Sequence, residues 1–155
     1  MCCQIIQNSA KYYLFTGDLE LEGEESLVEL NNLYQVELFK AGHHGSYTSS
    51  NKVLLDVIKP KNVCVCCCAG SNEYKAEPEN KFPSQSFIDR IAPHTDRVFV
   101  TTLYVEEGDT FCSMNGNIVL CCNINDAVVN IYCSNNTTLL KDTDWFAKNR
   151  KTPVN

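Results

Sequence analysis

The stretch Asn62-Val63-Cys64-Val65-Cys66-Cys67-Cys68 carries no charge and is nearly all apolar. A strand covered on both faces reads this way, which places the run at the centre of a sheet. Segments of helical period flank it. Upstream, Ser46-Tyr47-Thr48-Ser49-Ser50 supplies an N-cap, Val53, Leu54, Val57 and Ile58 share one helix face, and Lys59-Pro60 stops the helix. Downstream, Pro83-Ser84-Gln85 opens a helix with Phe87, Ile88 and Ile91 on one face. Strands are expected at residues 35–40 and 97–102, so the centre of the chain reads as strands alternating with helices.

The remaining pattern extends this α/β core at both ends. Residues 2–7 and 11–16 form two short β-prone runs around Asn8-Ser9-Ala10, an opening hairpin. Residues 22–30 begin acidic and carry Leu27, Val28 and Leu30, a short helix ended by Asn31-Asn32. Residues 69–81 are polar, a long loop. Beyond residue 102 the pattern turns antiparallel. Runs 110–114 and 117–122 flank Asn115-Gly116, a strong hairpin signal because a type I′ turn needs positive φ at both central residues. A strand at 128–133 follows, and residues 142–150 predict a helix whose Trp145 and Phe146 pack back on the body. The expectation is one domain over residues 1–150, with a fraying tail at 151–155.

Composition narrows the function. At 155 residues the chain is long enough for a core, and 44% hydrophobic with 21% charged residues is an ordinary globular balance. The net charge of −6 gives no basic footprint for a phosphate backbone, so charge does not support a nucleic-acid partner. No apolar run approaches the roughly 20 residues of a membrane span. Residues 1–7 lack the features of a signal peptide, and a cytoplasmic chain is expected.

Ten cysteines invite a disulfide framework. Their clustering at Cys2-Cys3, Cys64 to Cys68 and Cys121-Cys122 inside apolar runs points instead to free thiols buried as small hydrophobes. Cys64 and Cys67 have CxxC spacing, but no second pair follows to close a zinc site. On a strand Cys64, Cys66 and Cys68 face one way and Cys67 the other. A cysteine-based metal or redox protein built on Cys64 to Cys68 remains an alternative, to be decided by thiol accessibility.

Two further stretches carry chemistry. Phe15-Thr16-Gly17-Asp18-Leu19-Glu20 and Phe39-Lys40-Ala41-Gly42-His43-His44-Gly45-Ser46 share one design: a β-prone run ends in Gly and then offers a metal-capable side chain. Strand ends are where α/β sheets present ligands. Taken singly, Asp18 also fits a turn and His43-His44 a polar loop. His94 after Pro93, Glu77 and Glu79 fit surface loops, and the Asn136-Thr137-Thr138 glycosylation pattern carries no weight without secretion.

Taken together, Thr16-Gly17-Asp18-Leu19-Glu20 and Lys40-Ala41-Gly42-His43-His44-Gly45-Ser46 with Ser49-Ser50 resemble the C-terminal half of metallo-β-lactamase-fold hydrolases. The branch they resemble holds the soluble domain of the bacterial DNA-uptake (competence) protein ComEC. The resemblance continues through the apolar run 62–68 and Phe82-Pro83-Ser84-Gln85. It implies half of an αββα sandwich: a mixed sheet, helices on one face, the other face bare and apolar, and a closing β meander.

For the site, the resemblance implies Asp18 and His43 as metal ligands, with zinc or manganese the usual occupant. His44 would be a substrate-facing or ligand-supporting group, and Ser46, Thr48 and Ser49 would line the pocket. The parent activity would be phosphodiester or ester hydrolysis. The sequence departs from the pattern where it has no HxHxDH motif, only three histidines (His43, His44 and His94), and Phe82-Pro83 where the branch often has His-Pro. Two expectations follow. The chain is part of a hydrolase inactive alone, self-associating or paired with a partner that supplies the N-terminal half. Alternatively, it is a non-catalytic module that self-associates through its exposed sheet.

Overall fold

The computed structural model describes residues 3–7, 11–72, 77–122 and 129–152. Strands β1 (Cys3–Gln7) and β2 (Lys11–Phe15) pair antiparallel, as their β-prone composition requires. Helix α1 (Leu21–Leu30) crosses to β3 (Leu38–Lys40), α2 (Lys52–Ile58) to β4 (Val63–Ala69), and α3 (Gln85–Ile91) to β5 (Val98–Val105). Each crossover joins parallel neighbours, and β6 (Thr110–Ser113) returns antiparallel to β5. The six strands therefore lie in chain order, β1-β2-β3-β4-β5-β6. Crossovers of one hand, advancing in one direction along a sheet, place every helix on the same face.

That face holds the main core. Leu14, Phe39, Val63, Val65 and Val100 are fully buried against Leu54, Leu55, Ile58 and Phe87. The C-terminal helix α4 (Asp144–Asn149) adds Phe146, and a preceding 3-10 turn adds Leu140. The expected α/β class, with β4 central and helices on one face, is the observed one. Ser84 caps α3 by accepting from the Phe87 N–H at 3.2 Å, and Thr143 caps α4 from Phe146 at 3.1 Å.

The second face differs from the bare sheet expected. Strands β7 (Ile118–Cys122) and β8 (Val129–Cys133) form a separate antiparallel hairpin, whose Ile118 and Leu120 pack on Tyr13, Leu38 and Cys64. The predicted turn at Asn115-Gly116 does not join β6 to β7: β6 pairs with β5, and β7 pairs with β8. Asn115 is instead fully buried. Its Oδ1 accepts from Val100 N–H at 2.7 Å, and its Nδ2 donates to the carbonyls of Asn136 (3.0 Å) and Thr138 (2.9 Å). A side chain with three backbone partners in the core outweighs a local turn preference. Asn125-Asp126, expected before β8, lie outside the described residues.

The expected strand at 35–40 shortens to Leu38–Lys40 because Val36 pairs its backbone with the exit of α2, through Ile58 O at 2.8 Å and Lys61 N–H at 3.0 Å. Lys151, expected to fray, exchanges two hydrogen bonds with the Gln85 side chain, at 2.9 and 3.0 Å. At the exit of β4, Gly70 lies against Trp145, where an added Cβ would come within 2.1 Å of the indole Nε1. The cysteines also depart from expectation: Cys64 is buried, but Cys66, Cys112 and Cys121 are exposed. Alternation on β4 turns Cys66 to the less covered face, and β6 and the outer side of β7 have no layer over them.

Candidate functional site

The two glycine-ended strands meet. Gly17, at φ +60°, turns the chain out of β2, and its carbonyl accepts the His43 N–H at 2.9 Å. Asp18 and the histidine pair thus leave neighbouring parallel strands beside one another. Asp18 is exposed, with no side-chain hydrogen bond among the described residues.

His43 and His44 sit in a tight, left-handed turn, Gly42–Gly45, at φ +45° and +57°. Left-handed backbone at a non-glycine residue costs on the order of 1 kcal/mol or more, and persists only where the surroundings dictate it. Here they do. Gly42 donates to Ser50 Oγ (3.2 Å), and its carbonyl accepts from Ser49 Oγ (2.7 Å). Ser46 N–H closes the turn on His43 O, and Ser84 N–H takes Gly45 O at 2.8 Å. Gly45, at φ +76°, has no space for a side chain: a Cβ would lie 2.7 Å from Pro83 Cβ.

Two ionic groups, one buried and one half-buried, hold the loop that follows. Glu24 of α1 is fully buried. Its carboxylate accepts from Ser50 N–H (2.6 Å), Asn51 N–H (2.8 Å) and Asn51 Nδ2 (2.9 Å), supporting the start of α2. Arg90 of α3 donates Nε to Ser50 O (3.0 Å) and Nη2 to the carbonyls of Ser49 (2.8 Å), Tyr47 (3.1 Å) and Ser46 (3.3 Å). The sequence hid both roles, since Glu24 stands in an acidic run and Arg90 on an expected polar helix face.

A similar device holds the other wall. Phe82 stacks on His44 with ring centroids 5.9 Å apart and lies at the same distance from His43. The Phe82–Pro83 segment is anchored by Arg150, which is 6% exposed and donates to the carbonyls of Pro83 (2.9 Å), Lys81 (2.7 Å) and Pro78 (3.1 Å). Trp145 covers the guanidinium at 4.8 Å. Burial pulls the Arg150 pKa down to about 10, which still leaves it charged at neutral pH.

These contacts fix the imidazole tautomers. His43 Nδ1 faces Glu20 Oε1 at 3.3 Å, and Glu20 is held by the Thr48 hydroxyl at 2.7 Å, which in turn meets Ser46 Oγ at 3.0 Å. His44 Nδ1 lies 2.6 Å from Cys66 O. A carboxylate and a carbonyl only accept, so both Nδ1 atoms donate, and in the neutral imidazole that leaves Nε2 as the lone-pair nitrogen, the tautomer of a metal-ligating or proton-accepting histidine. Of the expected pocket residues, Thr48 reaches Glu20. Ser46 and Ser49 are 1% and 0% exposed and serve as framework.

A metal fits this chain only in part. Asp18 and His43 are brought to one crevice, and carboxylate support on Nδ1 suits a ligating histidine. Among the described residues, however, no three His, Cys, Asp or Glu side chains gather where an ion could sit. Two donors do not close a site. Glu77 and Glu79 lie by a 3-10 turn in the Arg150 loop, and His94 packs near Asp56 at 3.5 Å, away from the histidine pair.

No protein-family model matches the chain, and no solved structure does. Among curated proteins it is similar to competence protein ComA of Neisseria gonorrhoeae, at 37% identity over 92 residues, 58% of this chain and 12% of that protein. ComE operon protein 3 of Bacillus subtilis matches at 32% over 69 residues, 44% of this chain and 9% of its own length. Recombination protein 2 of Haemophilus influenzae matches at 28% over 90 residues, 58% and 10%. The chain spans about a tenth of the length of these relatives, and the similarity links it to competence proteins.

Proposed function

We propose that this chain is the C-terminal half of a metallo-β-lactamase-fold, ComEC-like hydrolase associated with DNA uptake, and that it contributes Asp18 and His43 to a two-metal site completed by HxHxDH residues from elsewhere. The observation that carries the reading is the His43 N–H to Gly17 O hydrogen bond, which sets the two ligand-bearing strand ends side by side. The fixed tautomers and the similarity to competence proteins support it. When bound, zinc or manganese would activate a water molecule for attack on a phosphodiester or ester. What this chain supplies is positioning: Glu20 with Thr48 orients His43, Cys66 O orients His44, and Phe82 walls the crevice. With a net charge of −6 it is not itself a grip for the phosphate backbone.

The test is to add a polypeptide carrying HxHxDH and measure bound zinc or manganese, and hydrolysis of bis(p-nitrophenyl) phosphate, for the native chain, Asp18→Ala and His43→Ala. Metal uptake and hydrolysis that either substitution abolishes support the reading; uptake that neither changes overturns the ligand assignment. A second reading, a non-catalytic module that self-associates through its sheet, is favoured by β6, an edge strand exposed along its length with Phe111 68% exposed. Light scattering separates the two: a monomer refutes self-association.

A further inference from the structure

Strand β6 closes one side of the sheet, and among the described residues no strand lies beyond it. All of its residues are exposed, and Thr110 stands opposite Val105 and Cys112 opposite Leu103, so these side chains share one face with those neighbours. On that face the sheet edge and α4 enclose an open groove of about 610 Å³. Its floor is apolar, formed by the half-buried Leu103, Val105 and Trp145, and its rim carries the exposed carboxylates of Glu106, Glu107 and Asp144 beside the cation of Lys148. We propose that this edge is a docking site for an extended segment of a partner protein, in which arginine or lysine alternates with apolar residues, and that the segment adds to β6 as a further strand.

A bare edge turns backbone N–H and C=O groups outward, and an extended segment satisfies them by pairing along it. Side chains alternate along such a segment and fall into two rows. The row beside Thr110 and Cys112 enters the groove. An apolar floor under a rim of carboxylates suits side chains that are apolar along the stem and cationic at the tip, and arginine and lysine have that form. Their stems lie on Leu103, Val105 and Trp145 while their heads reach Glu106, Glu107 and Asp144. The other row falls beside Phe111, which is 68% exposed and alternates to the opposite face, and there an apolar residue buries area at a cross-strand position. The same charges disfavour other occupants. A phosphate backbone would meet the three carboxylates, and a second copy of this chain brings its own acidic rim and a net charge of −6. Neither the histidine crevice nor a metal takes part.

Trp145 is the single tryptophan of the chain, so its fluorescence reports on the groove. The full chain, free of metal, would be titrated with a capped hexapeptide alternating arginine and valine. Binding should saturate and shift the Trp145 emission to shorter wavelength as the stems displace water from the indole. Two control peptides should each bind at least about tenfold more weakly: one with glutamate in place of arginine, and one N-methylated at every amide, which has no backbone donor left. Glu106→Lys combined with Glu107→Lys, in an exposed turn, should weaken the arginine peptide about tenfold, and added salt should weaken it likewise. No saturable shift, equal binding of either control peptide, or an affinity that the double substitution leaves unchanged would overturn the proposal. So would protection of residues 110–113 from hydrogen exchange that rises with the concentration of the chain alone, because a second copy would then hold the edge. With no metal in the experiment, its failure leaves the hydrolase reading untouched.

Discussion

Arg90 and Arg150 perform the same local task on the two walls of the histidine crevice, and the difference between them lies in what stands behind each. Both are guanidiniums that donate to a set of loop carbonyls, Arg150 from a buried position and Arg90 from a half-buried one. The Arg90 loop also receives Glu24 from beneath, so its N–H groups and its carbonyls are both satisfied, and both supports belong to the helical layer. Among the described residues, the Arg150 loop has side-chain support at its carbonyls alone, from the end of α4. The wall that carries His43 and His44 is thus built into the central helices, whereas the wall that carries Phe82 depends on the docking of α4.

Removing Glu24 should break that contrast most severely. Glu24→Ala leaves the buried Ser50 N–H and the half-buried Asn51 N–H without acceptors and Arg90 without its counter-charge, a loss of about 3 kcal/mol read by urea denaturation. Arg150→Leu should cost about 2 kcal/mol, from three unsatisfied carbonyls, and hydrogen exchange should accelerate around residues 78–83 while residues 46–51 stay protected. Equal acceleration of both loops would show that the walls are one unit.

A gain is expected at Thr16, whose buried hydroxyl has no hydrogen-bond partner among the described residues. Thr16→Val replaces the hydroxyl by a methyl of similar shape and should stabilise by about 1 kcal/mol in the same denaturation assay. The smallest effect concerns pH. Burial, the leading cause, lowers the pKa of His94, which follows α3 and faces Asp56, Lys52 and Lys59. A histidine whose folded value is depressed binds fewer protons when folded. Its contribution is therefore complete above the unfolded value of about 6.5 and is lost as pH falls through the folded value. Acid should destabilise the native chain by less than about 1 kcal/mol more than it does His94→Gln, measured as stability from pH 7 to 5, without selective loosening of either wall.

Much of this architecture is legible in residue order because it rests on local periodicity. The apolar run at 62–68 becomes the central strand, Ser84 caps the helix its position implies, and the strand-end motifs meet because parallel neighbours end on the same side. What stays hidden is set by partners distant in sequence. Asn115-Gly116 has the composition of a hairpin turn, yet Asn115 is claimed by Val100 and Thr138. Glu24 is one of several acids in its run, and only the packed structure shows which carboxylate is buried. The thiols mislead for a related reason: an apolar run specifies a strand but not how fully its second face is covered, and Cys66 lies where that cover stops.

The contact between Gly70 and Trp145 ties the exit of β4 to α4. The indole fills the space a side chain at residue 70 would need, and Arg150 lies on its ring while reaching back to Pro83. The histidine turn and its Glu24–Arg90 support need no element beyond α3, whereas the Phe82 wall also requires α4. A chain in which α4 is undocked therefore keeps a formed histidine loop and has an unfinished crevice, and docking of α4 is the step that completes it.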